Sequence, residues 1–351
     1  MILLGGIWLY ACFRRNQISM LRRRYYEQNG GISLQDKFSK GKGSFQSAKI
    51  FSEEDLKKAT NNFDQSSILG QGGQGTVYRG TLSDGTEVAI KKSRMVDPSQ
   101  TKHFVNEASV LSEVNHRNVV KLLGCCLEIE LPLLVYEFVN NGTLYDHIHK
   151  RGQNACALSW ETRLRIVTEA AEALSYLHSS ASTPIIHGDI KTANILLDEN
   201  YNAKVSISEL QDYHLTTKID VYSFGIVLVE LLTGMKALSF DRPSEQKCLA
   251  IDEQVVKDAK VDQIKDYALL AKRCIRVASE ERPEMKEVAT ELHGLRRMEK
   301  HPWLNNNKSL EEKYHLLGEI SEAYTGSTSG SSVNAYDSMT NHLRSPFDNG
   351  R

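Results

Sequence analysis

The sequence predicts an α+β chain folded as two lobes, a small β-rich lobe first and a helical lobe after it. Its 351 residues exceed what one small core needs. Short runs of alternating apolar residues, punctuated by glycine turns, fill residues 69 to 139. From Trp160 onward the apolar residues recur instead with the helical period. Composition is ordinary for a globular protein, 40% apolar and 25% charged. A formal net charge of −1 provides no global attraction to nucleic acid, and no nucleic-acid partner is expected. The six cysteines include no Cys-x-x-Cys pair, and Cys125 and Cys126 are adjacent. They read as reduced residues rather than a disulfide or zinc framework.

Residues 1–13 are apolar, and Arg14, Arg15, Arg22, Arg23 and Arg24 follow. A bilayer-spanning helix needs ~20 apolar residues, so 1–13 reads as part of a transmembrane helix. Its arginines come after the apolar run, the polarity of a helix leaving the membrane on the cytoplasmic side. Each would add ~1 kcal/mol of attraction to anionic lipid. Residues 14–63 read as a basic juxtamembrane linker, its stretch 27–50 polar and glycine-containing. Inside it Ser52 precedes Glu53, Glu54 and Asp55, which predicts a capped helix running to about Asn61.

Residues 64–298 carry the two lobes, 64–139 and 140–298. The first holds Gly70-x-Gly72-x-x-Gly75, by itself a weak signal that more often closes a hairpin. Here strand-like residues Thr76 to Gly80 follow it, then a turn and a second strand, Glu87 to Lys92. Strands rich in glycine let backbone N–H groups approach phosphates closely. Lys91 ends the alternation Val88, Ile90 and is costly to bury without a partner. A helix from Ser99 to Val114 supplies one, with Glu107 beside Phe104 and Leu111 on its apolar face. Strands at Val119–Glu128 and Leu133–Phe138 lead to a turn at Asn140-Asn141-Gly142.

In the second lobe Trp160 to Ser179 predicts a long helix, with Leu164, Val167, Ala171, Leu174 and Leu177 on one stripe. A loop from His187 to Asp198 then sets Asp189, Lys191 and Asn194 between two apolar runs. It resembles the catalytic loop of protein kinases, H-R-D-x-x-x-x-N. Asn115 to Glu128 and Tyr136 to Asp146 narrow the resemblance to the plant wall-associated receptor kinases, over Arg22 to about Trp303.

That resemblance implies a two-lobed protein-kinase-like fold and a receptor-like protein Ser/Thr kinase acting on an unspecified protein substrate with ATP and Mg²⁺. It places the chain at the cytoplasmic face of the plasma membrane, held by its amino-terminal segment. Asp189 would accept the substrate hydroxyl proton, Lys191 steady the γ-phosphate and Asn194 bind Mg²⁺. Leu69, Gly70, Gly72, Gly75, Val77, Ala89 and Lys91 would enclose the nucleotide, with Glu107 paired to Lys91. Tyr136 would guard the back of the pocket, and Glu137 and Val139 would offer backbone groups to adenine.

Two departures qualify the expectation. Gly188 stands where the kinase loop has Arg. No Asp-Phe-Gly follows Ala203-Lys204-Val205-Ser206, and no Ala-Pro-Glu occurs; the family pattern resumes at Asp220. Loss of the metal-binding carboxylate predicts a rate loss of several orders of magnitude. The peptide platform goes with it, and Arg282 loses its usual Glu, a cost of roughly 3–5 kcal/mol if it is buried unpaired. Glu209 is the nearest substitute. The ten residues Ile207–Thr216 reach at most ~35 Å, enough to close the lobe. The alternative is therefore a pseudokinase or binding module with little phosphoryl transfer; a poorly folding product is the third reading. Residues 299–351 are polar and read as a disordered tail.

Overall fold

Residues 49–137 pair into one six-stranded sheet, in the order β1-β5-β6-β4-β3-β2. The computed structural model describes residues 2–40, 48–72, 75–93, 100–150, 158–179, 184–207, 216–236 and 250–298. The strands are β1 (Lys49–Ile50), β2 (Ile68–Gly72), β3 (Gly75–Thr81), β4 (Glu87–Ser93), β5 (Leu122–Cys126) and β6 (Leu133–Glu137). Only β1 pairs in parallel, with β5. Strand alternation divides β4 between two faces. Val88 and Ile90 join Leu56, Cys126, Leu133 and Val135 in a small apolar cluster, so Ala89 and Lys91 face the other way, toward the cleft.

Leu56 belongs to α3 (Glu53–Ala59), where the Ser52 hydroxyl accepts the Asp55 N–H as the cap predicted. Before it lie α1 (Ile2–Gln28) and α2 (Gly31–Lys40). The polar stretch 27–50, expected as linker, thus contains a helix. Its Leu34 and Phe38 are buried in the main core. Burial against a tertiary partner outweighs a polar composition that promises little by itself. No helix of the described residues is long and apolar enough to cross a membrane. Helix α1 continues through the arginines, and its apolar end is exposed, Leu3 at 82% and Trp8 at 67%. Helix α4 (Gln100–Glu113) packs between α2 and β5.

The second lobe is helical: α5 (Leu144–His149), α6 (Trp160–Ser179), α7 (Thr217–Thr233), α8 (Glu253–Asp258), α9 (Val261–Cys274) and α10 (Met285–Met298). All five stripe residues predicted for α6 are fully buried. Buried Arg163 ties this lobe together. It donates to the carbonyls of Leu158 and Leu231 and to the Asp252 carboxylate, at 3.0, 2.7 and 2.8 Å. A hairpin of β7 (Ile195–Leu197) and β8 (Ala203–Val205) joins the lobes. Val120 N–H donates to Val205 O at 2.9 Å, and Val205 N–H to Asn118 O at 2.8 Å. Cys125, Cys126 and Cys274 are free and buried, and burial pushes each thiol up to about 12, which leaves them inert.

Arg282 corrects an expectation. It lies near the surface, not in the core, and donates to the carbonyls of Arg276, Lys218 and Val277 at 2.7, 3.0 and 3.1 Å. Its guanidinium also lies over the Tyr222 ring, 4.9 Å from the centroid, within the ~6 Å reach of a cation–π contact. The lost Glu is replaced by backbone oxygens. Glu209 and the tail 299–351 lie outside the described residues.

Candidate active site

The loop from His187 to Asp198 is anchored by a buried carboxylate. Asp220, in the first turn of α7, is fully buried. It accepts the N–H groups of His187 and Gly188 at 2.9 and 2.8 Å, and lies 2.7 Å from His178 Nε2. Gly188 sits at φ +73°, a left-handed conformation that costs an L side chain roughly 1–2 kcal/mol. Gly in place of Arg thus removes a charge and relaxes the loop together.

His187 fixes the loop from the other side. Its Nε2 faces the Ser206 carbonyl at 2.8 Å, and its Nδ1 accepts the Asp189 N–H at 3.2 Å. The ring is therefore neutral, with its proton on Nε2. Burial holds it below the ordinary histidine value of 6.5, against the opposing charge of Asp220. Because the folded value is depressed, the stabilisation is complete above 6.5 and is lost as the pH falls through that value toward the folded one. His116 is lowered by burial as well and adds to the slope. Unfolding free energy should fall by up to ~1.4 kcal/mol per pH unit for each such group. Urea midpoints at several pH values, compared with His187→Gln, check this; an unchanged slope in the variant would sink it.

The loop brings its three predicted residues together. Lys191 Nζ lies 2.7 Å from Asp189 Oδ2, and Asn194 Nδ2 donates to the Asp189 carbonyl and Oδ2 at 2.7 and 3.0 Å. Ser206 in turn donates its N–H and hydroxyl to the Asn194 carbonyl. The next residue, at the place of the metal-binding Asp, is Ile207, 4% exposed and part of the apolar core. A Mg²⁺ needs several oxygen ligands. Among the described residues no three of His, Cys, Asp and Glu group to hold a metal. Among the described carboxylates the one that contacts Asn194 is Asp189, whose Oδ2 already faces Lys191 and Asn194. The described residues do not fit the usual Mg²⁺ site.

Across the cleft Lys91 is 7% exposed, with its Nζ 3.9 Å from Glu107 Oε1. It pairs in register with Val77 of β3 and Leu134 of β6, and Ala89 pairs with Tyr136. Gly70 and Gly72 are exposed, and a Cβ at either would meet nothing within 4 Å. Their backbone is open to a ligand, as is half-exposed Leu69. At Gly75 a Cβ would strike the Lys92 carbonyl, so close strand approach explains that glycine without a ligand. The Tyr136 hydroxyl is buried and has no hydrogen-bond partner among the described residues. Burial pushes its pKa well up, and Glu107 adds to the effect. Val139 is buried in the hinge, the short segment after β6 that leads from the first lobe to the second. Glu137 takes a further, structural part through its side chain. Its N–H donates to Lys121 O at 3.0 Å, and its carboxylate accepts from Lys121 N–H and Lys204 Nζ at 2.9 and 2.7 Å. That side chain fastens the hinge to both lobes.

Sequence reasoning missed Asp220 as the loop's anchor. The only signal was a carboxylate opening an otherwise apolar helix.

Comparison with known proteins agrees with this geometry. The family model for protein tyrosine and serine/threonine kinases matches residues 63–211 and 206–292. The break falls where the activation segment is missing. Wall-associated receptor kinases 3 and 2 of Arabidopsis thaliana are each 46% identical over 393 positions covering 100% of this chain. Those 393 positions exceed the 351 residues here by 42, so at least 42 positions of the alignment have no residue in this chain. The chain spans about half the length of these relatives, 52% and 53%. A shorter wall-associated receptor kinase-like protein of the same plant, also 46% identical, is spanned over 85% of its length. Among solved structures, an apo pseudokinase superposes with a TM-score of 0.63 at 27% identity, over 72% of this chain and 96% of that one. The chain belongs to the wall-associated receptor kinase family, and its two lobes are a protein kinase domain.

Proposed function

We propose that this chain is a receptor-like protein Ser/Thr kinase module that retains nucleotide binding and has lost most of its phosphoryl transfer. ATP would lie between the open backbone of Gly70 and Gly72 and the Ala89–Lys91 face of β4, with Lys91 against its phosphates. Tyr136 would close the rear of the cleft. Asp189 is placed to accept the proton of a Ser or Thr hydroxyl, and Lys191 to balance charge on the transferred group. The observation that carries the reduced turnover is Ile207. Kinases of this fold neutralise the phosphates with Mg²⁺ held by a carboxylate at that position. An apolar, buried side chain supplies no ligand.

The amino-terminal helix supports a place at the cytoplasmic face of the plasma membrane. Its exposed apolar end, followed by arginines, has the amphipathic order that lipid headgroups favour.

A second reading, full kinase activity, rests on the intact Asp189, Lys191 and Asn194 cluster. One experiment separates the two: autophosphorylation and ATP-induced thermal shift of the full chain, with and without Mg²⁺. We expect a thermal shift, and turnover lower than in a relative with the complete segment by about three orders of magnitude or more. Turnover at the relative's rate that Asp189→Asn abolishes would overturn the reduced-activity reading.

A further inference from the structure

The helix missed by sequence reasoning lies on the back of α4, the helix that carries Glu107. The chain reaches it through a fastened turn. Asn29 is 4% exposed and donates its amide hydrogens to the carbonyls of Leu127 and Ile129, at 3.0 and 2.8 Å. Gly30 follows at φ +75°, so close to α4 that a Cβ there would lie 2.5 Å from Val105 Cγ2. Leu34 and Phe38, one helical turn apart, then join the core cluster containing Phe104, Ala108 and Leu111 of α4. Lys37 Nζ donates to the buried Ser109 Oγ at 2.7 Å. Further back, Arg22 of α1 reaches Glu53 and Glu54 of α3 at 3.3 and 3.0 Å.

Glu107 lies between Val105 and Ser109 in sequence and, at about 100° per residue, projects from the opposite face of α4. At 3.9 Å its approach to Lys91 is at the outer limit of an ion pair, so a small rotation of α4 would open it. We infer that residues 29–38 are a latch that positions Glu107 against Lys91, so that docking of the juxtamembrane segment sets the affinity of the cleft for nucleotide. The inference rests on the nucleotide-binding reading above. Leu34, Lys37 and Phe38 touch neither nucleotide nor reacting atoms; they act through α4. Any pull on α1 would be passed to the cleft by the same contacts.

The test uses the full chain carrying Leu34→Ala and Phe38→Ala together, with Leu34→Met/Phe38→Leu as the conservative control. Amide exchange of residues 100–113 is followed without nucleotide, with α9 as the internal reference. The dissociation constant of a fluorescent ATP analogue is measured alongside. We expect faster exchange in α4 with α9 unchanged, and affinity weakened about tenfold, as when the competent state falls to about a tenth of the population. The conservative variant should restore both. Unchanged exchange in α4, or faster exchange with affinity within about twofold of the parent chain, overturns the latch. If α9 also loses protection in the double variant, Phe38→Ala alone is read by the same criteria. If the parent chain binds no nucleotide, the proposed function fails on that count alone. The latch is then decided by acylation of Lys91 with a water-soluble reagent: faster labelling in the double variant supports it, and an equal rate overturns it.

Discussion

Asp220→Ala lowers the unfolding free energy by about 2–6 kcal/mol, the cost of two buried backbone donors left without their acceptor. The carboxylate is 0% exposed and meets three nitrogens: the N–H groups of His187 and Gly188 and the ring of His178. Alanine leaves both backbone donors buried without an acceptor, and each such orphan costs about 1–3 kcal/mol. It also removes a negative charge from the first turn of α7, where the helix dipole favours one. Asp220→Asn keeps an acceptor oxygen and should lose less, about 1–3 kcal/mol. Urea unfolding checks both, with an unchanged slope as the sign that only stability moved. A loss below about 1 kcal/mol for alanine would refute Asp220 as the loop's anchor.

Lys91→Met abolishes the stabilisation that nucleotide confers. At ligand concentrations about 100 times the dissociation constant, binding to the folded state alone is worth about 2.7 kcal/mol. Methionine keeps the length and burial of the side chain in β4 and removes its charge. The effect is read as the difference between melting with and without ATP, so any change in the ligand-free protein cancels. Asp189→Asn, across the cleft, should leave that difference intact. Equal shifts in Lys91→Met and the parent chain would refute the placement of Lys91 against the phosphates.

Much of the fold was legible because its signals are periodic and local. Helix α6 runs over the residues its apolar stripe predicts, Trp160–Ser179, since burial of one face decides a long amphipathic helix. Ser52 caps α3 because a hydroxyl before three acidic residues satisfies a free N–H wherever it occurs. Strands elsewhere are shorter than their apolar runs, as β5 is, Leu122–Cys126 within the expected Val119–Glu128. Helix α2 was illegible for the opposite reason. Its Leu34 and Phe38, set among polar residues, gain nothing until α4 covers them.

The spacing of Asp189, Lys191 and Asn194, the glycines before Lys91 and the absence of Asp-Phe-Gly are covalent facts. The sequence by itself therefore determined the family, the inventory of the cleft and its missing carboxylate. It could not determine what that loss does to the surroundings. Folding places Ile207 in the apolar core, gives Arg282 carbonyl partners near the surface, commits the Glu137 carboxylate to the Lys121 N–H and the Lys204 ammonium and presses α2 onto α4. Each of these depends on which groups meet across tens of residues, and the energy of burying or pairing a group is set by that meeting, not by its neighbours in the chain.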